Sequence, residues 1–243
     1  MLKRLALAFV LTSLAAANAD ELAKYDVSVA WEKAVVHVPD RFFTQTASSV
    51  ETPHPFPVVL FMHGCAGIGP EEKQWARFLK DKGYIVVLPD SFAIPKRVIN
   101  CSTTEKITNL RLVPVNRLRP AEVAYAMAQL QTKPWVDKKH VFLMGHSEGA
   151  MAATRTPDMG FKGIIISGFV CSLGVKAGAA TPLLAISWSS DPYFQRAGFQ
   201  CDSQWGARDN GIQLVLPGHG HSTSSESSAR QAVANFLDNN TEK

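Results

Sequence analysis

The stretch Val141-Phe142-Leu143-Met144-Gly145-His146-Ser147-Glu148-Gly149-Ala150-Met151-Ala152-Ala153 restricts the possible folds more than any other part of the chain. A short apolar run leads into polar residues bracketed by glycines, and small helix-compatible residues follow at once. That is a buried strand, a sharp turn and a helix, with Ser147 at the apex. The glycines have a mechanical purpose. The turn forces the serine into a strained backbone conformation and brings neighbouring chain so close that side chains at the two positions would collide. The serine oxygen is lifted clear of the sheet, and the new helix points its unpaired N–H groups toward whatever that oxygen attacks. G-x-S-x-G alone is common by chance, so the flanking strand and helix carry the argument against an ordinary tight turn.

The rest of the chain repeats the same alternation. Continuous apolar runs, as in strands buried on both faces, occur at Val58–Met62, Tyr84–Leu88, Val141–Met144, Ile164–Ile166, Leu183–Ile186 and Ile212–Leu216. Helical spacing is found over Glu71–Lys82 and over Pro120–Gln131, where proline would take the first helical position. It recurs over Ser147–Arg155 and Ser225–Leu237. Val27–Ala30 and Val35–Val38 alternate, which predicts an antiparallel start. Strands alternating with helices predict an α/β fold with a mostly parallel sheet covered on both faces. Such sheets place chemistry at the carboxyl ends of their strands. The segment Asp90–Arg119 carries few helix or strand signals and follows a strand's carboxyl end, so it is expected to overhang the site.

At the start of the chain, Lys3 and Arg4 precede the apolar Leu5–Leu14 and the small-x-small Ala17-Asn18-Ala19, the pattern of a secretory leader over residues 1–19. The apolar stretch is shorter than the roughly 20 residues a spanning helix needs, so no stable membrane anchor is expected. Residues 20–243 suit a single domain. Loss of Lys3 and Arg4 lowers the formal charge from +4 to +2, with no basic stripe to suggest a nucleic-acid partner. Cys65, Cys101, Cys171 and Cys201 then reach an oxidising compartment, where disulfides persist, and their spacing is unlike a metal site. Cys171 and Cys201 each follow an expected strand and form the favoured pair, worth about 3–4 kcal/mol in the chain-entropy model. Cys65 either pairs with Cys101 or is a small buried thiol.

A serine nucleophile needs a base, and the base an orienting acid. Only His219 and His221 follow Ser147, both in Pro217-Gly218-His219-Gly220-His221 beyond the last strand. His221 lies farther out on a glycine-flexed loop with room to reach back over the serine, so it is preferred. Asp191, where Trp188-Ser189-Ser190-Asp191-Pro192 opens into a turn after the preceding strand, is the expected acid, with Asp202 and Asp209 weaker candidates. The candidate triad therefore draws on the ends of three strands. Charge developing on an attacked carbonyl oxygen needs N–H donors. The backbone N–H of Glu148 is one candidate and that of Cys65, in His63-Gly64-Cys65-Ala66-Gly67, the other. The Glu148 side chain is open to three readings: binding a cationic group, pairing with Arg119, or facing solvent. His63 and His146 read as packing residues.

His63-Gly64-Cys65-Ala66-Gly67, Pro89-Asp90-Ser91-Phe92, Gly145–Gly149 and Pro217–His221 together resemble the dienelactone hydrolase family of α/β-hydrolases, over about Val58 to Leu237. The resemblance implies an α/β-hydrolase fold, the triad Ser147, Asp191 and His221, and a small-molecule ester or lactone substrate with no metal or organic cofactor. The founding members use a cysteine nucleophile where this chain has Ser147, so the likeness does not extend to dienelactone itself. Peptidases, acyltransferases and non-catalytic binding proteins share the fold and remain alternatives.

Overall fold

The computed structural model describes residues 24–99, 101, 109–171, 174–194, 201–203, 205 and 208–241. The expected leader and most of 100–108 lie outside the described residues. Seven strands form one sheet: β1 (Val35–His37), β2 (Phe56–Met62), β3 (Ile85–Leu88), β4 (Val136–His146), β5 (Ile164–Ser167), β6 (Leu183–Ser190) and β7 (Gly211–His219). Their spatial order is β1-β3-β2-β4-β5-β6-β7. Only β1 runs antiparallel to its neighbour, β3; the other pairs are parallel.

The continuous apolar runs are explained by burial on both faces. Leu60, Leu143 and Ile166 pack on one side, with Val123 of α3 (Asn109–Leu130) and Ala150 and Met151 of α4 (Glu148–Arg155). Their chain neighbours Val59, Phe61, Phe142 and Ile165 pack on the other, with Trp75 and Leu79 of α2 (Pro70–Asp81) and Val233 and Phe236 of α5 (Ser227–Thr241). Successive strand residues point to opposite faces, so two apolar faces leave no polar alternation to read.

Two elements differ from the sequence expectation. Val27–Ala30 is not a strand: Ser28–Glu32 forms a short helix, α1, whose start is fixed by the Asp26 carboxylate accepting from the Ser28 N–H (3.0 Å) and hydroxyl (2.6 Å). Four alternating residues suit either element, and burial of Ala30 and Trp31 selects the helix. Pro120 does not begin a helix either. It lies inside α3 together with Pro114, so the expected loop already turns helical at Asn109. Val115, Leu118 and Arg119 on that added length are buried, and their packing overrides the local preference for proline at a helix start.

Candidate active site

Ser147 sits between β4 and α4 with φ 54° and ψ −114°, a left-handed conformation that costs a non-glycine residue about 1–3 kcal/mol. A Cβ on Gly149 would lie 1.9 Å from the carbonyl oxygen of Met62, and one on Gly145 would lie 2.2 Å from that of Gly149. No side chain fits at either place. The turn is pinned by Ser147 N–H donating to Ser167 O (2.9 Å) and Met151 N–H donating to Ser147 O (3.0 Å).

The structure separates the two candidate histidines. His221 Nδ1 lies 2.7 Å from Asp191 Oδ2, and Asp191 Oδ1 accepts the Tyr193 N–H at 2.9 Å. With Nδ1–H donated to the buried acid, Nε2 of His221 is the ring nitrogen left for a proton. Tyr193, His146 and Phe194 pack around the ring at centroid distances of 4.4, 4.8 and 6.0 Å. His219 instead ends β7, exposed, with Nδ1 3.2 Å from Ser190 Oγ. Asp202 and Asp209 are exposed, and Asp209 precedes β7, at the amino end of the parallel strands rather than the carboxyl end.

Ser147 and His221 line one cavity of about 250 Å³ with Cys65, Cys101, His146 and Tyr193. Among the described residues, no acceptor is hydrogen-bonded to the amide of Cys65 or of Glu148. A larger, open groove of about 700 Å³ lies at the amino ends of β5, β6 and β7, around Lys162, Pro182 and Gly211. Its described lining contains no serine, cysteine or histidine, so the smaller cavity is the one with nucleophilic chemistry.

The backbone before Cys65 is held at the Gly64 amide and at the carbonyls of His63 and Gly64. The His63 ring accepts the Ser91 N–H at Nε2 (3.0 Å), which leaves Nδ1–H to donate to Gly64 O (2.7 Å). Burial and the nearby Arg119 hold this imidazole well below the usual histidine range, so it is neutral. Gly64 N–H donates to Glu72 Oε1 (3.0 Å), and Arg119 Nη2 donates to His63 O (2.6 Å). Glu72 also accepts the Gly69 N–H at 2.9 Å, so one carboxylate ties this loop to the start of α2.

The Glu148 side chain faces neither solvent nor substrate. It is paired with Arg97, and its Oε1 lies 3.4 Å from Arg119 Nε, so the expected Arg119 partner is present and a second arginine joins it. Arg119 Nη1 pairs with Glu122 Oε2 at 2.6 Å, and Ser91 Oγ donates to Glu122 Oε1 at 2.5 Å. Arg97 stacks on Phe92, its guanidinium 4.7 Å from the ring centroid. Both disulfides form: Cys171–Cys201 as favoured, and Cys65–Cys101, which resolves the choice left open for Cys65.

Glu71 is the main residue the sequence did not flag. Beside Pro70 it looks like an ordinary acidic first turn, yet its buried carboxyl accepts from Thr223 N–H (2.8 Å), Ser224 N–H, Ser224 Oγ and Trp75 Nε1. It thereby anchors the chain two residues beyond His221. His146, buried beside it, has Nδ1 3.3 Å from Ser167 Oγ, and burial lowers its pKa to about 4. Arg97 and Glu122 were also missed, because Arg97 meets Glu148 from 51 positions away and Glu122 meets Ser91 from 31. Among the described residues, no group of three or more histidines, cysteines or carboxylates is arranged to hold a metal ion.

No family model matches the chain, and no curated protein is similar to it in sequence. Solved structures do match. An esterase from Pyrococcus furiosus superposes with a TM-score of 0.58 at 14% identity, covering 76% of this chain and 83% of that one. A phospholipase/carboxylesterase from Dyadobacter fermentans gives 0.56 at 16% identity, covering 85% and 96%. The chain has the α/β-hydrolase fold. A candidate dienelactone hydrolase from Klebsiella pneumoniae is similar too, with a TM-score of 0.54 at 12% identity over 86% of this chain and 99% of that one. The likeness expected from the motifs therefore holds for the α/β-hydrolase architecture.

Proposed function

We propose that this chain is an exported serine hydrolase that cleaves carboxylic esters or lactones, with residues 20–243 forming one catalytic domain after removal of the leader. The observation that carries the reading is the Asp191–His221 pair at 2.7 Å opening on the same cavity as the strained Ser147. The esterase neighbours support the reaction class through their shared fold. The two disulfides and the leader pattern support export to an oxidising compartment.

In this mechanism Ser147 Oγ attacks the ester carbonyl while His221 Nε2 takes its proton. Asp191 holds the ring in the tautomer that can accept the proton, and its charge stabilises the imidazolium that forms. The developing oxyanion accepts hydrogen bonds from the amides of Cys65 and Glu148, a contribution of about 10²–10³ in rate per donor. The C–O bond breaks as His221 returns the proton to the leaving alcohol, leaving an acyl-enzyme. Water, deprotonated by the same histidine, then releases the acid and regenerates Ser147. Neither a metal nor an organic cofactor enters this scheme, and the proposed partner is a small ester rather than a nucleic acid or a membrane.

The test is hydrolysis of p-nitrophenyl acetate and butyrate by the mature protein, beside Ser147→Ala and His221→Ala. Both substitutions are expected to lower kcat/KM by about 10⁴-fold or more. A wild type that is inactive and also resists a fluorophosphonate probe would show that the elbow is structural and that the chain is a binding protein.

A further inference from the structure

Resting on that reading, we propose that Arg119 is a positioning residue of the oxyanion hole, fixing the distance between its two backbone donors. Those donors are Cys65 N–H, on the loop after β2, and Glu148 N–H, at the start of α4 directly after Ser147; Cys65 and Ser147 line the same cavity. One buried guanidinium reaches both loops. Arg119 Nη2 donates to His63 O, two residues before Cys65, at 2.6 Å. Its Nε lies 3.4 Å from Glu148 Oε1, on the residue that carries the second donor. That contact is ionic: Nε is buried without a well-aligned hydrogen-bond acceptor. The third arm, Nη1 on Glu122 at 2.6 Å, fixes the guanidinium to its own helix. The side chain is completely buried, so its freedom is already spent before substrate arrives.

The chemistry requires an arginine. Three contacts in three directions match a planar fork and exceed the reach of a single ammonium point charge. Arg97 cannot substitute, because among the described residues its hydrogen bonds go to Glu148, Ser91 and Val98 and none reaches the Cys65 loop. Arg119 touches neither the nucleophile nor the cavity, so its effect must pass through the spacing of the two amides.

The experiment uses the full mature chain carrying Arg119→Lys or Arg119→Met. Thermal unfolding, kcat and KM for p-nitrophenyl acetate, and the inhibition constant of an alkyl trifluoromethyl ketone are measured for each. The ketone forms a tetrahedral adduct with serine whose oxygen occupies the hole. Loss of donor alignment is expected to lower kcat by about 10–100-fold and weaken the ketone by a similar factor, with KM within about threefold, since only transition-state contacts change. Arg119→Lys, which keeps the charge, should rescue stability more than kcat. A folded Arg119 variant whose kcat and ketone affinity stay within threefold of wild type overturns the inference alone. A wild type without esterase activity overturns the functional reading and this inference together. Should both Arg119 variants fail to fold, Glu148→Gln decides. It keeps the amide and the Arg119–His63 bond but removes the ionic contacts with Arg119 and Arg97, and it must lower kcat and ketone affinity in parallel, and more than Arg97→Met does, for the inference to stand.

Discussion

On the α3 side of Ser147, Arg97, Arg119, Glu122 and Glu148 are buried together, and the Cys65–Cys101 disulfide borders the cavity. On the β7 side one buried carboxyl group, Glu71, accepts hydrogen bonds from Thr223, Ser224 and Trp75, neutral contacts such as Ser167–Thr223 and Trp188–Ser222 add to it, and the Cys171–Cys201 disulfide lies in the core. The difference reflects what each side must hold. The α3 side carries the two backbone donors of the proposed oxyanion hole, which gain from fixed spacing. The β7 side carries His221, whose ring picks up and hands over a proton in the proposed mechanism. Ion clusters resist displacement because a broken pair leaves a buried charge, whereas hydrogen bonds to uncharged donors can be exchanged one at a time.

Glu122→Gln should bring the largest stability change, about 4 kcal/mol in urea unfolding, because it leaves the buried Arg119 and Arg97 to share the one carboxylate of Glu148. Acid should come next. The His146 imidazole is held at about pKa 4 in the fold against 6.5 in the open chain. Between those values the unfolded chain binds a proton that the folded chain refuses. Stability is therefore complete above pH 6.5 and falls as pH drops toward 4, by about 3 kcal/mol from this group. His63, held well below the usual histidine range by burial and the nearby Arg119, adds to the same slope. Unfolding measured from pH 7.5 to 4 checks this, and His146→Gln should flatten the upper part of the curve.

Glu71→Gln keeps the shape and one acceptor oxygen, so about 2 kcal/mol is expected in the same assay. A cost equal to that of Glu122→Gln would remove the contrast between the sides. His219→Ala should be smallest. The residue is exposed and makes one 3.2 Å contact, so stability should change by less than about 0.5 kcal/mol and esterase rate by less than about twofold. A large loss of rate would instead move the base from His221 to His219.

Much of the site was legible because its signals are local. Gly145 and Gly149 announce a turn that admits no side chain, and the strand on one side and the helix on the other share its immediate sequence. Asp191 and His221 were found by asking which residues follow strand ends, a rule of the sheet rather than of neighbours. The supports were not legible. Glu71 meets Thr223 from 152 positions away, and Arg119 meets His63 from 56. Nothing near Glu71 distinguishes it from a solvated carboxylate on a helix's first turn.

The sequence by itself determined the six buried parallel strands, the elbow and the candidate side chains of the site, because buried parallel strands and a strained turn each demand particular residues within a few positions. Tertiary structure decided the rest: that Ser28–Glu32 is helical, that α3 runs through two prolines, and which charges share a buried cluster. Those outcomes depend on burial against distant parts of the chain, and the free energy of burial exceeds any preference the local sequence can express.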